Sequence, residues 1–281
     1  MPCIKEVLQL CGKQLEAALN LDSSSARIEV QCLLQAVLQV NRAYLLTHPE
    51  QLLSDEQQTR FTALFERRLS GEPIAYLLGE REFYGLIFKV SAATLIPRPE
   101  TELLVELALQ NIPQQGACSV LDLGTGSGAI ALSIAHARPN AEVVAVDAST
   151  AALEVAQFNA QRLNLCNVRL LHSDWFGALQ DERFDIIVSN PPYIAADDAH
   201  LTQGDVRFEP SSALVSGAHG LHDIRRICAQ AKAHLNVNGW LLLEHGYNQA
   251  AQVRVLLLQS GFAGIFSAHD LSGIERVSGG S

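Results

Sequence analysis

The tetrapeptide Asn190-Pro191-Pro192-Tyr193 is the part of the sequence whose residue types and spacing best suit a chemical task. It directly follows the apolar run 184–189, which is typical of a buried parallel strand. The two prolines stiffen the turn, so a carboxamide, two carbonyls and an aromatic ring are held in fixed relation. This set suits a planar NH₂ group, because the oxygens accept its protons while the ring stacks on its face.

A glycine-rich loop at the end of an earlier predicted strand is the second candidate site. The loop consists of Gly124, Thr125, Gly126, Ser127 and Gly128. Glycines let the backbone approach a ligand closely, and the N-terminus of the helix that follows favours acceptor or anionic groups. Taken alone the loop is ambiguous, because Gly124, Gly126 and Ala129 also match a dinucleotide-binding fingerprint.

Two further side chains are candidates for holding a cofactor. Asp147 ends the next predicted strand, where its carboxylate can accept hydrogen bonds from both hydroxyls of a ribose. Trp175 follows the third strand, where its ring can flank an adenine, with core packing as the alternative. These features suit NAD and S-adenosylmethionine equally. The fourth strand favours the methyl donor, because it ends in an amide-gripping turn without the proton-transfer residue of a hydride-transfer site.

Composition bounds the remaining possibilities. The 281 residues are 48% hydrophobic and 18% charged, which predicts a globular protein with one full-size domain and a smaller one. The formal charge of -10 argues against a broad nucleic-acid-binding surface. The start of the chain lacks the apolar core of a signal peptide, no apolar run is long enough for a membrane span, and the six cysteines are scattered. We therefore expect a cytoplasmic protein without membrane contact, and no histidine or cysteine spacing predicts a metal site.

The pattern of elements predicts two domains. Residues 1–80 read as a helical bundle with substrate docking as its task, and residues 81–97 as a hairpin or linker. Residues 98–281 alternate strands and helices, which is typical of a doubly wound, Rossmann-like, mainly parallel sheet. Strands are expected at 118–123, 142–147, 168–172, 184–189, 239–245 and near 264–269 and 274–278, and helices at 128–137, 150–163, 221–235 and 247–260.

Several segments together resemble the class I S-adenosylmethionine methyltransferases, and more narrowly the PrmC/HemK family of protein-glutamine N5-methyltransferases that modify peptide chain release factors. Besides the loop and turn above, they are Gly71 to Leu77, Arg81 to Phe83, Leu95 to Glu102, Phe208 to Pro210, Leu243 to Tyr247 and Gly273 to Val277. The resemblance implies a class I fold with a seven-stranded sheet behind a small N-terminal helical domain. It also implies S-adenosylmethionine as cofactor and, as substrate, the glutamine of the release factor's Gly-Gly-Gln loop.

The residues suggest a mechanism based on placement. We expect Asn190 and the Pro191 carbonyl to accept the two N–H bonds of the substrate amide, and Tyr193 to stack on its plane, with Pro192 completing the substrate site. Asn190 also borders the cofactor site, together with the glycine loop, Asp147 and Trp175. A monomer is the default expectation.

Three other functions remain open at this point. An adenine-N6 nucleic-acid methyltransferase uses the same kind of turn on a flipped base, although the acidic charge and the short interval between Gly128 and Asn190 disfavour it. The second alternative is a glutamine methyltransferase that acts on a ribosomal protein. The third is a scaffold that binds the cofactor without catalysis.

Overall fold

The computed structural model describes residues 1–281 and separates the chain into two compact units. The first contains Met1–Gly79 together with Thr202–Phe208, and the second contains Glu80–Leu201 and Glu209–Ser281. The sequence pattern gave no sign that Thr202–Phe208 belongs to the first unit. Polar contacts explain it, because Arg68 Nη1 lies 3.4 Å from Asp205 Oδ1 and Arg207 Nη2 donates to the Ser70 carbonyl at 3.1 Å.

Five helices build the first unit, which confirms that this part of the chain is helical. They are α1 (Ile4–Leu19), α2 (Ser23–Leu38), α3 (Arg42–Thr47), α4 (Asp55–Leu69) and α5 (Ile74–Leu78). The side chain of Asp22 accepts from the backbone N–H groups of Ser24 and Ser25 and so begins α2. Ser54 and Gln57 form a capping box at the start of α4. The apolar faces of these helices enclose a core of their own.

A hairpin opens the second unit. Its strands, β1 (Glu80–Phe83) and β2 (Leu86–Lys89), pair antiparallel. Tyr84 and Gly85 both have positive φ, as a two-residue hairpin turn requires. The amide side chain of Asn159 fixes the end of the hairpin, since it accepts from the Lys89 N–H at 2.7 Å and donates to the Lys89 carbonyl at 3.0 Å.

A seven-stranded sheet forms the rest of the second unit. The strands are β3 (Cys118–Leu123), β4 (Ala141–Asp147), β5 (Val168–His172), β6 (Phe184–Ser189), β7 (Leu235–Glu244), β8 (Phe266–His269) and β9 (Glu275–Gly280). The helices are α6 (Glu102–Asn111), α7 (Ala129–Ala137), α8 (Thr150–Arg162), α9 (His222–Ala231) and α10 (Ala250–Gln259). The strand order is β5-β4-β3-β6-β7-β9-β8, and only β9 runs antiparallel to its neighbours. The predicted fold is confirmed.

The strand order places a crevice at the centre of the sheet. The chain leaves β3 toward β4 on one side and returns to β6 on the other, so neighbouring connections diverge at the carboxyl ends of β3 and β6. Ligands of open α/β sheets bind at such a switch point. Apolar side chains alternate along β3, with Val120 in one core and Leu121 in the other, so both faces of the sheet are covered.

One strand differs from its prediction. β7 begins at Leu235 instead of 239, and α9 ends at Ala231, before the predicted end at 235. The pairing of β6 with β7 shifts register between Phe184 and Ile186, and Asn238 has a φ of 65°. Because of this irregular start, the first residues of β7 do not follow the period-two pattern by which a strand is predicted.

No helix combines the length and apolarity needed to cross a membrane.

Candidate active site

A cavity of about 370 Å³ opens at the carboxyl edge of the sheet, where β3, β4, β5 and β6 end. Its walls include most of the residues predicted to hold a cofactor, namely Gly124, Thr125, Gly126, Ser127, Asp147, Trp175 and Asn190. A volume of this size lies within the usual range for small-molecule sites. The fold therefore brings together, from four strand ends, side chains that are far apart in the sequence.

The glycine loop forms one wall. Gly124 and Gly126 have φ values of 72° and 58°, which favour glycine. A Cβ on Gly126 would meet no atom within 4 Å, so only the missing side chain keeps this space open to a ligand. A Cβ on Gly124 would lie 3.4 Å from the ring of Trp175, so that ring lies against the loop. Trp175 also packs partly against the core. The residue therefore combines the two predicted roles, a wall of the cavity and a part of the core.

Gly128 has a different task from its neighbours in the loop. It is absent from the cavity wall, and it lies at the start of α7 with a φ of 85°. A Cβ there would lie 2.9 Å from Leu132 and 3.3 Å from Ala156. The glycine is therefore explained by the close packing of α7 and α8, and the structure does not bring it to the predicted cofactor site.

The carboxylate of Asp147 is fixed by the backbone. Its Oδ2 accepts from the Gly126 N–H and its Oδ1 from the Ser149 N–H, both at 2.8 Å. A carboxylate offers about four lone-pair sites, so each oxygen can still accept a hydroxyl proton. This geometry fits a bound ribose.

Asp122 is a buried carboxyl beneath the loop that the sequence analysis did not single out. Its Oδ2 accepts from the Thr125 hydroxyl at 2.6 Å, while its Oδ1 has no partner. Burial raises the pKa of Asp122 to about 7, and the hydrogen bonds from Thr125 and from the Ala131 N–H act in the opposite direction. The group supports the loop from the inside of the protein.

An ion pair fixes the segment that leads into α6. Arg98 Nη2 donates to Glu209 Oε2 at 2.5 Å, and the Ile96 N–H donates to Glu209 Oε1 at 2.9 Å. The Glu209 side chain is fully buried, whereas Arg98 is partly exposed and lines the cavity. Two of the segments that carried the family resemblance thus meet in one contact.

The Asn190-Pro191-Pro192-Tyr193 turn follows β6 at the same edge. Asn190 and Pro192 line the cavity, whereas Pro191 and Tyr193 do not. The side-chain nitrogen of Asn190 donates to the hydroxyl of Thr101 at 3.2 Å. The side-chain oxygen of Asn190 and the carbonyl of Pro191 take no part in any hydrogen bond within the protein. Both predicted acceptors therefore have no partner inside the protein, and Asn190 lies at the cavity wall, whereas Pro191 is buried behind it.

Tyr193 ends the turn with its hydroxyl in the protein interior. That hydroxyl donates to Glu244 Oε1 at 3.4 Å. Burial raises the pKa of Tyr193 well above its ordinary value, and the nearby Glu244 carboxyl acts in the same direction. Tyr193 therefore stays protonated and donates. Thr101 and Glu244, for which the sequence predicted no role, lie in two of the segments that resemble the family.

No three His, Cys, Asp or Glu side chains converge as metal ligands would.

Two family models match the chain. The Methyltransferase small domain model matches residues 100–211, and the PrmC N-terminal domain model matches residues 6–79. The release factor glutamine methyltransferase of Pseudomonas aeruginosa is 53% identical over 256 residues, which are 91% of this chain and 92% of that one. The chain belongs to the release factor glutamine methyltransferase family. The relative of the same name from Salmonella typhimurium is 49% identical, with 92% of this chain and 93% of that one covered.

A solved methyltransferase from Pyrococcus furiosus shares the fold. It is 21% identical with a TM-score of 0.53, and the match covers 76% of this chain and 94% of that one. Members of this family are methyltransferases that use S-adenosylmethionine. The residues present fit that cofactor, because the cavity has the size of a small-molecule site, the open position at Gly126 leaves room for it, and Asp147 can accept ribose hydroxyls.

Proposed function

We propose that this protein transfers a methyl group from S-adenosylmethionine to the side-chain nitrogen of the glutamine in the Gly-Gly-Gln motif of peptide chain release factors. The observation that carries the proposal is the Asn190 side chain, whose nitrogen is bound by Thr101 while its oxygen is left to accept at the cavity edge. The names of the relatives from Pseudomonas aeruginosa and Salmonella typhimurium support the substrate.

The substrate amide is held at this turn by acceptors. Asn190 Oδ1 and the Pro191 carbonyl accept the two N–H protons of the glutamine amide, and the Tyr193 ring covers the amide plane and excludes water. Because no side chain at the turn is a strong base, catalysis depends on alignment of the nitrogen. Fixing two reactants in line can supply roughly 7–11 kcal/mol of the barrier.

The residues that would hold the cofactor line the same cavity as Asn190. Asp147 would accept the ribose hydroxyls, the backbone of Gly124 and Gly126 would lie against the cofactor, and Trp175 would flank its adenine. S-adenosylmethionine supplies a methyl group on a positively charged sulfonium, which becomes neutral when the methyl group leaves. An uncharged Asn190 beside it avoids a fixed anion that would stabilise the ground state more than the transition state.

The helical unit, Met1–Gly79 with Thr202–Phe208, has its own core and no part of the cavity described above. We assign it to docking of the release factor, so that the larger unit is left with the chemistry. A monomer that acts without nucleic acid fits the formal charge of -10. A cytoplasmic location follows from a substrate that works in translation termination.

The function is tested by incubating the full chain with isotopically labelled S-adenosylmethionine and purified, unmethylated release factor. Peptide mass mapping should place one methyl group on the glutamine of the Gly-Gly-Gln motif. Ribosomal protein and single- and double-stranded DNA and RNA are incubated in parallel. Methylation of one of these with none on the release factor would assign the activity elsewhere, and cofactor binding without turnover on any of them would indicate a silent scaffold.

A further inference from the structure

Two buried polar side chains, Thr101 and Glu244, contact the Asn190-Pro191-Pro192-Tyr193 turn from separate segments. Thr101 ends the short helix Pro99–Thr101 and is 3% exposed, and Glu244 ends β7 and is 1% exposed. Ser189 pairs with Leu243 across β6 and β7, so Asn190 and Glu244 leave the sheet at neighbouring strand ends. Buried polar groups are costly unless they are bonded, so this cluster needs an explanation.

The first contact fixes which way the Asn190 amide points. A carboxamide has its donor nitrogen and its acceptor oxygen on opposite sides, and the two are interchangeable in shape. In Asn190 the nitrogen donates to Thr101 Oγ1 at 3.2 Å. The oxygen is thereby turned away from Thr101. A reversed amide would present donors where the substrate N–H groups need an acceptor.

The charge of Glu244 favours the polarity of that contact. The Thr101 hydroxyl stabilises the ionised form of the Glu244 carboxyl and so lowers its pKa, although no hydrogen bond of ordinary length joins the two side chains. An ionised carboxylate attracts the hydroxyl proton and cannot donate one. It therefore favours a Thr101 hydroxyl whose proton faces Glu244 and whose oxygen accepts from Asn190.

The same carboxyl holds the other end of the turn. Glu244 Oε1 accepts from the Tyr193 hydroxyl at 3.4 Å, while Oε2 has no partner within ordinary hydrogen-bond distance. A single buried group therefore influences both the amide and the aromatic ring that would enclose the substrate. It does so without lining the cavity itself.

The charges around Glu244 favour titration of this carboxyl near neutral pH. Burial raises its pKa to about 7, Glu100 acts in the same direction, and Thr101, Arg276 and Tyr193 oppose the rise. His245, the next residue along the chain, has a pKa lowered by burial and titrates at more acidic pH.

We propose, on the basis of the proposed function, that Thr101 and Glu244 are positioning residues for the methyl transfer: they orient the Asn190 carboxamide and the Tyr193 ring toward the substrate amide. Neither touches the reacting atoms. Both act through the turn, and their loss should lower kcat while leaving the affinity for release factor and cofactor largely intact.

The first test compares Thr101→Val with Thr101→Ser in the full chain. Valine keeps the shape of threonine and removes the hydroxyl, whereas serine keeps the hydroxyl. We expect Thr101→Val to lower kcat by about 10- to 100-fold, with KM for release factor and Kd for S-adenosylmethionine within about threefold of wild type. Thr101→Ser should restore kcat to within about fivefold. Equal losses in the two variants would overturn the proposal, because the hydroxyl would then not matter.

The second test uses Glu244→Gln, with the exposed Glu142→Gln as matched control. Wild-type kcat should rise as the pH increases through about 7, because only the ionised carboxylate selects the required polarity. Glu244→Gln should have a lower kcat without this rise, since a neutral glutamine lacks the charge that favours this orientation of the Thr101 hydroxyl and permits the reversed Asn190 amide. Glu142→Gln should keep the wild-type profile. The affinity of Glu244→Gln for S-adenosylmethionine shows whether this variant is folded. If it is not, the comparison of Thr101→Val with Thr101→Ser still tests the proposal.

The outcomes separate this inference from the function on which it rests. Suppose that the wild-type protein methylates the release factor. Full kcat in Thr101→Val, or an unchanged pH profile in Glu244→Gln, would then overturn the positioning role and leave the proposed function intact. Wild-type protein that binds S-adenosylmethionine and leaves the release factor glutamine unmodified would overturn both.

Discussion

The side chain of Gln249 donates through Nε2 to the backbone carbonyl of Tyr193 at 3.0 Å. The same nitrogen lies 3.3 Å from the Gly220 carbonyl, and Gln249 Oε1 accepts from the Gly246 N–H at 2.8 Å. One buried amide at the start of α10 therefore joins the turn after β6, the loop before α9 and the loop after β7.

Replacing Gln249 with leucine should loosen the turn, because it leaves buried carbonyls without a donor. We expect the free energy of unfolding to fall by about 2 kcal/mol or more, since an unsatisfied buried polar group costs about 1–3 kcal/mol. Methylation should fall further than cofactor affinity. Urea unfolding and turnover measure the two effects, and Gln252→Leu on the exposed side of α10 is the control. Equal stability of the two variants would contradict the role of Gln249.

A side chain at Gly220 should displace the catalytic turn. A Cβ there would lie 2.2 Å from the Tyr193 carbonyl oxygen, and Gly220 has a φ of 69°. Gly220→Ala should therefore lower kcat at least about tenfold, because misplacement of this size is costly at a reacting centre. Gly261→Ala is a matched control, since its φ is 80° and its Cβ would meet no atom within 4 Å. If both variants lose the same activity, backbone strain alone is responsible.

Two glycines of the same loop should respond differently to alanine. At Gly126 the new methyl group would point into open space in the cavity wall, so Gly126→Ala should weaken S-adenosylmethionine binding roughly tenfold, or about 1.4 kcal/mol. At Gly128 it would clash with Leu132, so Gly128→Ala should mainly reduce stability. Calorimetric titration and thermal unfolding distinguish the effects. If Gly128→Ala has normal stability and impaired cofactor binding, Gly128 belongs to the cofactor site after all.

Stability should decline as the pH rises toward neutrality. Asp122 and Glu244 both have a pKa raised to about 7 by burial, from ordinary values of 3.8 and 4.5. Between these limits the folded protein holds protons that the unfolded chain has released. Each group therefore lowers the free energy of unfolding by up to about 1.4 kcal/mol per pH unit. The lowered pKa of His245 acts at the acidic side, where protonation of the unfolded chain destabilises the fold.

Urea unfolding at about pH 5.5 and about pH 7.5 measures this dependence. The wild type should lose stability over the interval, and Asp122→Asn should lose less, because asparagine does not titrate. A slope that is identical in the variant would show that Asp122 is already ionised at the lower pH.

The sequence was sufficient for the parts of the site that are local. The turn at Asn190 and the loop at Gly124 each directly follow an apolar strand, and parallel strands end at one edge, so their meeting could be predicted. The antiparallel direction of β9 could not, because strand pairing leaves no trace in a short apolar run. The motif alone assigns Gly128 to the cofactor with its neighbours, since a packing glycine and a ligand-binding glycine look alike in sequence.

The supporting residues were missed because their contacts are distant along the chain. Thr101 is 89 positions from Asn190, Glu244 is 51 from Tyr193, and Gln249 is 56 from Tyr193. Two of them, Thr101 and Glu244, lay inside segments that resembled the family, yet nothing in those segments indicated what they contact. Only the folded structure shows that all three converge on one turn.

The most direct test of the central claim compares Asn190→Ala with wild type, using labelled S-adenosylmethionine and unmethylated release factor. If the Asn190 carboxamide holds the substrate amide in line with the methyl group, the variant should bind the cofactor within about threefold of wild-type affinity and methylate the glutamine roughly 100-fold more slowly or worse. Wild-type turnover by Asn190→Ala, with the methyl group mapped to the same glutamine, would contradict the account.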